Sequence, residues 1–237
     1  MMFNQLKPIV SIIIPCYNYG DFLEEAIDSC LDSTFQDLEI IVVNDGSTDP
    51  DTITVLNKLN KKPKTCVIHQ GNKGVSAARN LAIRKSKGKY FLPLDADDKI
   101  HPTLIEKGYK ILETNSEIGF VTHWTQIFGT ENSVLDFPSF DEKILLSQNI
   151  VINTSLTRKK AWHDVDGYDE KILGYEDWDF WISLVEKGWK GYTIPEILFY
   201  YRRHGKSKNF RDNENSMDHI KQIRDKHCEL YRFYGIP

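Results

Sequence analysis

Phe91-Leu92-Pro93-Leu94-Asp95-Ala96-Asp97-Asp98 opens as an apolar strand and ends in three carboxylates. A strand that delivers aspartates at i and i+2 past its carboxyl end suits a hard divalent cation, Mg²⁺ or Mn²⁺. Such ions take oxygen ligands and commonly bind a phosphate as well. The same letters also fit a solvated acidic turn, because Asp favours turns. The residues upstream separate the two. Residues 10–14 form a β-branched run stopped by Pro15, which predicts a strand buried on both faces. Residues 21–31 place Phe22, Leu23, Ala26, Ile27, Cys30 and Leu31 at helical spacing behind Asp21 as N-cap. A second strand at 38–43 runs into the turn cluster Asn44-Asp45-Gly46-Ser47-Thr48-Asp49. A helix at 52–59, a strand at 65–68, a turn at Gly71-Asn72-Lys73-Gly74, a helix at 75–86 and the strand at 90–94 follow. This alternation predicts an α/β fold with a mostly parallel central sheet and helices on both faces. Right-handed crossovers then gather the carboxyl ends of the parallel strands on one edge, the usual ligand edge of open α/β sheets. Tyr17, Asp45 and Asp95 should meet there.

Beyond residue 100 the pattern loosens. A helix should start near Pro102 and run to about 113, with strands at 119–128, 150–157 and 194–201. Residues 129–147 read as a polar loop with a short helix. Residues 178–187 read as a helix apolar over most of its circumference, ended by Gly188. Residues 217–233 form an amphipathic terminal helix, expected to dock on its own domain, pair with a second copy, or rest on an anionic membrane. The domain division is 1–100, 101–207 and a helical tail at 208–237.

The bulk properties narrow the class. The chain has 237 residues, 41% hydrophobic and 27% charged, as in an ordinary globular protein with length enough for a buried core. A formal charge of −4 gives no reason to expect a nucleic-acid partner. Cys16, Cys30, Cys66 and Cys228 are too far apart for a zinc site and read as reduced thiols. No apolar run approaches the roughly 20 residues of a membrane span, and no secretion signal is evident. A cytoplasmic protein is expected, with peripheral contact at the inner membrane face left open. Asn153-Thr154-Ser155 matches a glycosylation acceptor by accident on that reading.

Three later segments carry chemistry-bearing residues. Gly174-Tyr175-Glu176-Asp177-Trp178 sets two carboxylates at a helix start, where capping alone would also favour them. Tyr200-Tyr201-Arg202-Arg203-His204 follows a strand and ends in a potential metal ligand. Trp124, Phe128, Trp162, Tyr168, Tyr175 and Trp178 could form apolar platforms for a ligand, Tyr175 first among them, although core packing explains most of them.

In order along residues 9–207, Val10-Ser11-Ile12-Ile13-Ile14-Pro15-Cys16-Tyr17-Asn18, Val43-Asn44-Asp45-Gly46-Ser47-Thr48-Asp49, Gly74-Val75-Ser76-Ala77-Ala78-Arg79-Asn80 and Asp95-Ala96-Asp97-Asp98 resemble the inverting glycosyltransferases of family 2. Asp166-Gly167-Tyr168-Asp169-Glu170, Tyr175-Glu176-Asp177-Trp178-Asp179 and Tyr201-Arg202-Arg203-His204-Gly205-Lys206-Ser207 continue the resemblance. It implies a GT-A fold in which nucleotide-binding and acceptor-binding halves form a single domain. It also implies a nucleotide-sugar donor, a UDP-sugar first among candidates, and a glycan or lipid-linked saccharide acceptor in polysaccharide biosynthesis. By the same resemblance Pro15 and Tyr17 line the base pocket and Asp45 accepts from the base. Arg79 helps hold the nucleotide, with Asp95 and Ala96 at the donor and Asp95 on the ribose. Asp97 and His204 are the implied metal ligands, Asp177 the catalytic base, and Tyr175 and Glu176 the acceptor side. Asn44 stands where many relatives carry a second aspartate. The rival readings are a metal-dependent nucleotidyltransferase or phosphohydrolase, which also grip diphosphates with aspartates, and a non-catalytic nucleotide-sugar-binding module.

Overall fold

The computed structural model describes residues 8–172, 174–205 and 216–236. Strands β1 (Val10–Cys16), β2 (Leu38–Asp45), β3 (Thr65–Gln70) and β4 (Tyr90–Pro93) are parallel, in spatial order β3-β2-β1-β4. They alternate with helices α1 (Gly20–Leu31), α2 (Pro50–Leu59) and α3 (Val75–Lys85). The pleat explains why this sheet needs cover on both sides. Ile12 and Ile14 face one core with Leu23, Ala26, Ile27 and Leu56, while Ile13 faces the other with Ala78, Ala82 and Ile83. Both faces of β1 are therefore apolar.

The second half extends the sheet with mixed polarity. Strand β8 (Leu156–Arg158) joins β4 antiparallel and also pairs with β6 (Ile118–Gly129). β9 (Lys190–Arg203) runs parallel to β6, and the two-residue β5 (Lys99–Ile100) closes that edge against Tyr200 and Phe199 of β9. β7 (Ser133–Leu135) forms a hairpin arm on β6. The β6–β9 register slips three times, between Ile118 and Phe120, between His123 and Trp124 and between Trp124 and Thr125, the last two as Ile194, Ile197 and Phe199 take successive partners. Pro195, which cannot donate to a ladder, lies inside the slip after His123. Helices α4 (Leu104–Thr114), α5 (Glu142–Ser147), α6 (Lys159–Asp164) and α7 (Glu176–Glu186) cover the sheet, followed by α8 (Ser216–Lys226) and α9 (Cys228–Phe233).

Several sequence-based boundaries move. Pro15 lies inside β1, one residue beyond Ile14 and past the last β1–β4 pair, where only β2 still flanks the strand. Asp21 sits in the first turn of α1, and Tyr19 takes the N-cap position without a side-chain cap bond. Residues 150–157 contribute a strand only from Leu156. The terminal helix breaks at His227, which is 1% exposed and lies between Asp179 and Glu186 of α7 at 3.1 and 3.0 Å. Lys226 reaches Asp179 and Asp169 at 2.8 and 2.9 Å, and Ile223 and Tyr231 are buried. The tail thus docks on its own domain. Met217, expected on its apolar side, is exposed. Lys206 and Ser207, the end of the last family-like segment, lie outside the described residues, as does most of the 208–216 stretch. All four cysteines are free, and burial pushes the Cys16 and Cys30 thiols up to about 11 and about 12. Among the described residues no helix is long and apolar enough to cross a membrane.

Candidate active site

The loops after β1 and β2 are stitched together by Asn18, whose φ of 58° places it in the left-handed region that Asn tolerates. Its Oδ1 accepts from the Thr48 and Asp49 amides at 2.8 and 3.0 Å, and its own amide donates to Ser47 Oγ at 3.1 Å. Beside it Tyr17 is 45% exposed, so its ring is open to a ligand. Asp45 ends β2 and is buried. Its Oδ1 accepts from Gln70 Nε2 and the Lys73 amide at 2.7 and 2.9 Å, and its Oδ2 accepts from the Gly74 amide at 2.9 Å. Gly74 supplies that amide from φ +89°, a backbone state that side chains disfavour. Asp45 therefore anchors the turn that starts α3 and keeps a lone pair on Oδ2. Asn44 accepts from the Ser47 amide at 2.8 Å and meets His69 Nδ1 at 3.1 Å, roles that a second aspartate would fill differently.

Past β4 the three aspartates separate. Asp98 turns inward, 1% exposed, and accepts from the Arg202 amide at 2.7 Å, so burial and the neighbouring Asp97 and Asp95 hold its carboxyl well above the usual range. Asp97 faces the edge of the site. The antiparallel β5–β9 pairing returns the chain beside it, and His204 Nε2 lies 2.9 Å from Asp97 Oδ2. Burial, then the charge of Asp95, raise the Asp97 carboxyl, and the His204 bond works against them. The His204 ring packs against Tyr19 and Phe22, with centroids at 5.7 and 5.0 Å. Arg202 holds the loop from behind: its guanidinium lies between the Phe22 and Phe128 rings, donates to the Asp97 carbonyl at 2.7 Å and pairs with Glu25. Among the described residues no group of three His, Cys, Asp or Glu side chains converges as a complete metal cage.

Arg79 joins the two halves. Buried on α3, it donates to Asp95 Oδ1 at 2.8 Å and to Glu176 Oε1 at 2.9 Å. Its guanidinium also lies over the Tyr168 ring, 5.6 Å from the centroid. Glu176 and Asp177 begin α7 immediately after Tyr175, whose φ of 55° is strained for an aromatic residue. Tyr175 packs edge-on against Trp178 and His219 at 6.0 and 6.4 Å. Asp177 keeps part of its surface open. Burial of the carboxylate, then the charge of Glu176, push its pKa up to about 6; Arg79 and an Asn149 hydrogen bond at 3.1 Å pull the other way. Ala96 is buried between two partly buried aspartates, Asp95 and Asp97.

The structure thus brings Asp95, Arg79, Glu176 and Asp177 into one chain of contacts, and Asp97 and His204 into a second beside it. Sequence reasoning missed the supporting roles of Arg202 and Asn149. Arg202 was visible in the Tyr200-Tyr201-Arg202-Arg203-His204 segment, whereas Asn149 follows a polar stretch with no periodic signal.

The comparisons with known proteins bear on the fold and the family. The chain is 33% identical over 209 residues to the hyaluronan synthase of Pasteurella multocida, covering 86% of this chain and 21% of that protein. It therefore spans about a fifth of the synthase's length. Its fold matches S. aureus TarS in complex with UDP (TM-score 0.73, 19% identity, 92% of this chain and 65% of that one). It also matches the mannosyltransferase PcManGT from Pyrobaculum calidifontis in complex with GDP-Man and Mn²⁺ (TM-score 0.70, 18% identity, 94% and 65%). Residues 11–171 match the model of Glycosyl transferase family 2. On that match, and on the GT-A architecture just described, the chain belongs to glycosyl transferase family 2.

Proposed function

We propose that this glycosyltransferase moves a sugar from a nucleotide donor, a UDP-sugar first among candidates, to a glycan or lipid-linked hydroxyl, in one metal-assisted step that inverts the anomeric carbon. The observation that carries the reading is the pairing of two separate groups across Arg79. Asp97 and His204 stand on the donor side, and Asp177, with its pKa raised to about 6, stands on the acceptor side.

The donor set fits a divalent ion. One carboxylate oxygen and one imidazole nitrogen converge where carboxylates outnumber cations, which suits an ion completed by phosphate oxygens and water. Mixed oxygen and nitrogen ligation favours Mn²⁺ over Mg²⁺. When bound, the ion offsets the negative charge that grows on the departing diphosphate. The protein supplies the rest. Tyr17 offers a ring to the base, Pro15 shapes the floor of that pocket, and Asp45 offers its remaining lone pair. Asp95, fixed by Arg79, is placed for the ribose. Asp177 accepts the proton of the attacking hydroxyl, a poor nucleophile until that proton leaves. Tyr175 and Glu176 flank it on the acceptor side.

A panel of nucleotide sugars tested by thermal shift in Mn²⁺ checks the donor. At a hundredfold excess over Kd, binding adds about 2.7 kcal/mol. For a chain of this size that raises Tm by roughly 5–10 °C. The preferred donor, incubated with candidate acceptors, should release nucleoside diphosphate. Release of pyrophosphate would assign a nucleotidyltransferase instead, and binding without turnover a silent binding module.

A further inference from the structure

The geometry points to Asn149 as a positioning residue for the proton acceptor: its amide donates to Asp177 Oδ2 and orients that carboxylate, leaving the remaining lone pairs for the incoming hydroxyl. This inference rests on the reading of Asp177 as the base.

Asn149 comes from outside the nucleotide-binding half and outside α7. It follows α5, a short helix capped by Asp141, whose side chain accepts from the Ile144 amide at 2.9 Å. Two contacts fix its aim. Trp178 donates its indole N–H to the Leu145 carbonyl at 2.7 Å, which clamps α5 to the start of α7. Asn149 Oδ1 accepts from the Val151 amide at 3.2 Å, so the amide is oriented with its NH₂ toward Asp177, 3.1 Å away. An amide flip would lose both bonds at once.

A donor bonded to a carboxylate favours its ionised form. The other groups facing Asp177 are charged or titratable: Glu176 on its own helix, Arg79 from α3, and Tyr168 from the loop after α6. Arg79 is shared with Asp95 and Glu176, so altering it disturbs the donor side too. Among the described residues the Asn149 side chain bonds to Asp177 and to the Val151 amide, and to no donor-side group.

The test is a set of initial-rate pH profiles in Mn²⁺ for wild type, Asn149→Ala, Asn149→Asp and Asp177→Asn, using the donor identified by thermal shift. The acid limb of wild-type kcat should lie near pH 6. In Asn149→Ala it should move up by roughly one pH unit, the worth of one hydrogen bond to a charged group. In Asn149→Asp, which is isosteric, it should move further because a second carboxylate replaces the donor. The donor KM should stay constant in both. A purely structural role would lower kcat without moving the limb, so an unmoved limb in both Asn149 variants, with Asp177→Asn inactive, overturns this inference alone. Full activity of Asp177→Asn overturns the base reading and the inference with it.

Discussion

The proposed donor edge and the proposed acceptor wall of this chain are built in opposite ways. On the donor edge, functional residues sit within a few positions of a strand end: Tyr17 after β1, Asp45 at the end of β2, Asp95 and Asp97 after β4. Parallel pairing alone brings them together. On the acceptor wall, the carboxylate that matters is surrounded by groups from far along the chain, with Arg79 reaching Glu176 across 97 positions and Asn149 reaching Asp177 across 28. One side is specified by local strand–turn chemistry and the other by tertiary packing. The donor edge should therefore tolerate changes in the acceptor wall, and the converse should hold only where Arg79 is untouched.

The largest test of that independence is Asp177→Asn. Transfer should fall by about 10³-fold or more, the range expected for removing a general base. Donor affinity measured by calorimetry in Mn²⁺ should be unchanged, and a parallel loss of binding would mean the two sides are not separable. On the proposed reading the same carboxylate sets the sign of the pH response in the unmodified chain. It must be unprotonated to accept a proton, so the rate should fall about tenfold per unit as pH drops below about 6 and level off above it.

The complementary cut is Asp97→Ala or His204→Ala. Loss of one charge-assisted contact should weaken Mn²⁺-dependent donor binding by roughly 10- to 100-fold. A chelator should do the same to wild type, while the acid limb of the residual rate stays in place. Arg79→Met breaks the boundary itself by leaving Glu176 and Asp95 without their shared cation. Because Asp95 is only partly buried, the loss should be on the order of 3 kcal/mol, near the lower end for a broken buried pair. Thermal melting should shift down by roughly 6–12 °C. The smallest effect is expected at Asp49, whose carboxylate accepts from the Thr52 amide at 2.8 Å as the N-cap of α2. Asp49→Ala should cost about 1 kcal/mol in a denaturant melt and leave transfer kinetics alone.

The contrast also explains what could be read from the amino-acid string. The runs Val10-Ser11-Ile12-Ile13-Ile14 and Glu39-Ile40-Ile41-Val42-Val43 announce buried strands because both faces must be apolar, and their turn residues mark where side chains leave the sheet. Asp97 and His204 were nameable from their segments, and β5–β9 pairing brings them within hydrogen-bond distance. The residues 150–155 misled because Ile150 and Val151 are buried in the core cluster that holds Phe120, Trp178 and Trp181 and not in a ladder, which starts only at Leu156. The short β5 and β7 have no periodicity to detect; each is defined by its partner. Asp98 looked equivalent to its neighbours, yet the Arg202 amide draws it inward, a contact spanning 104 positions. Asn149 carried no local mark, because its value lies in what it faces.

The last slip in the β6–β9 register has a geometric consequence. Between Trp124 and Thr125 the β6 strand advances one residue while β9 advances from Ile197 to Phe199, so Leu198 is supernumerary. Since side chains alternate sides, that single spare position decides which side Tyr200, Arg202 and the approach to His204 present. Deleting Leu198 would exchange the two faces of this arm, sending Arg202 away from Phe22 and Phe128. The imidazole would swing off Asp97 with the proton acceptor on α7 still in place, and the catalyst would be blind on one side.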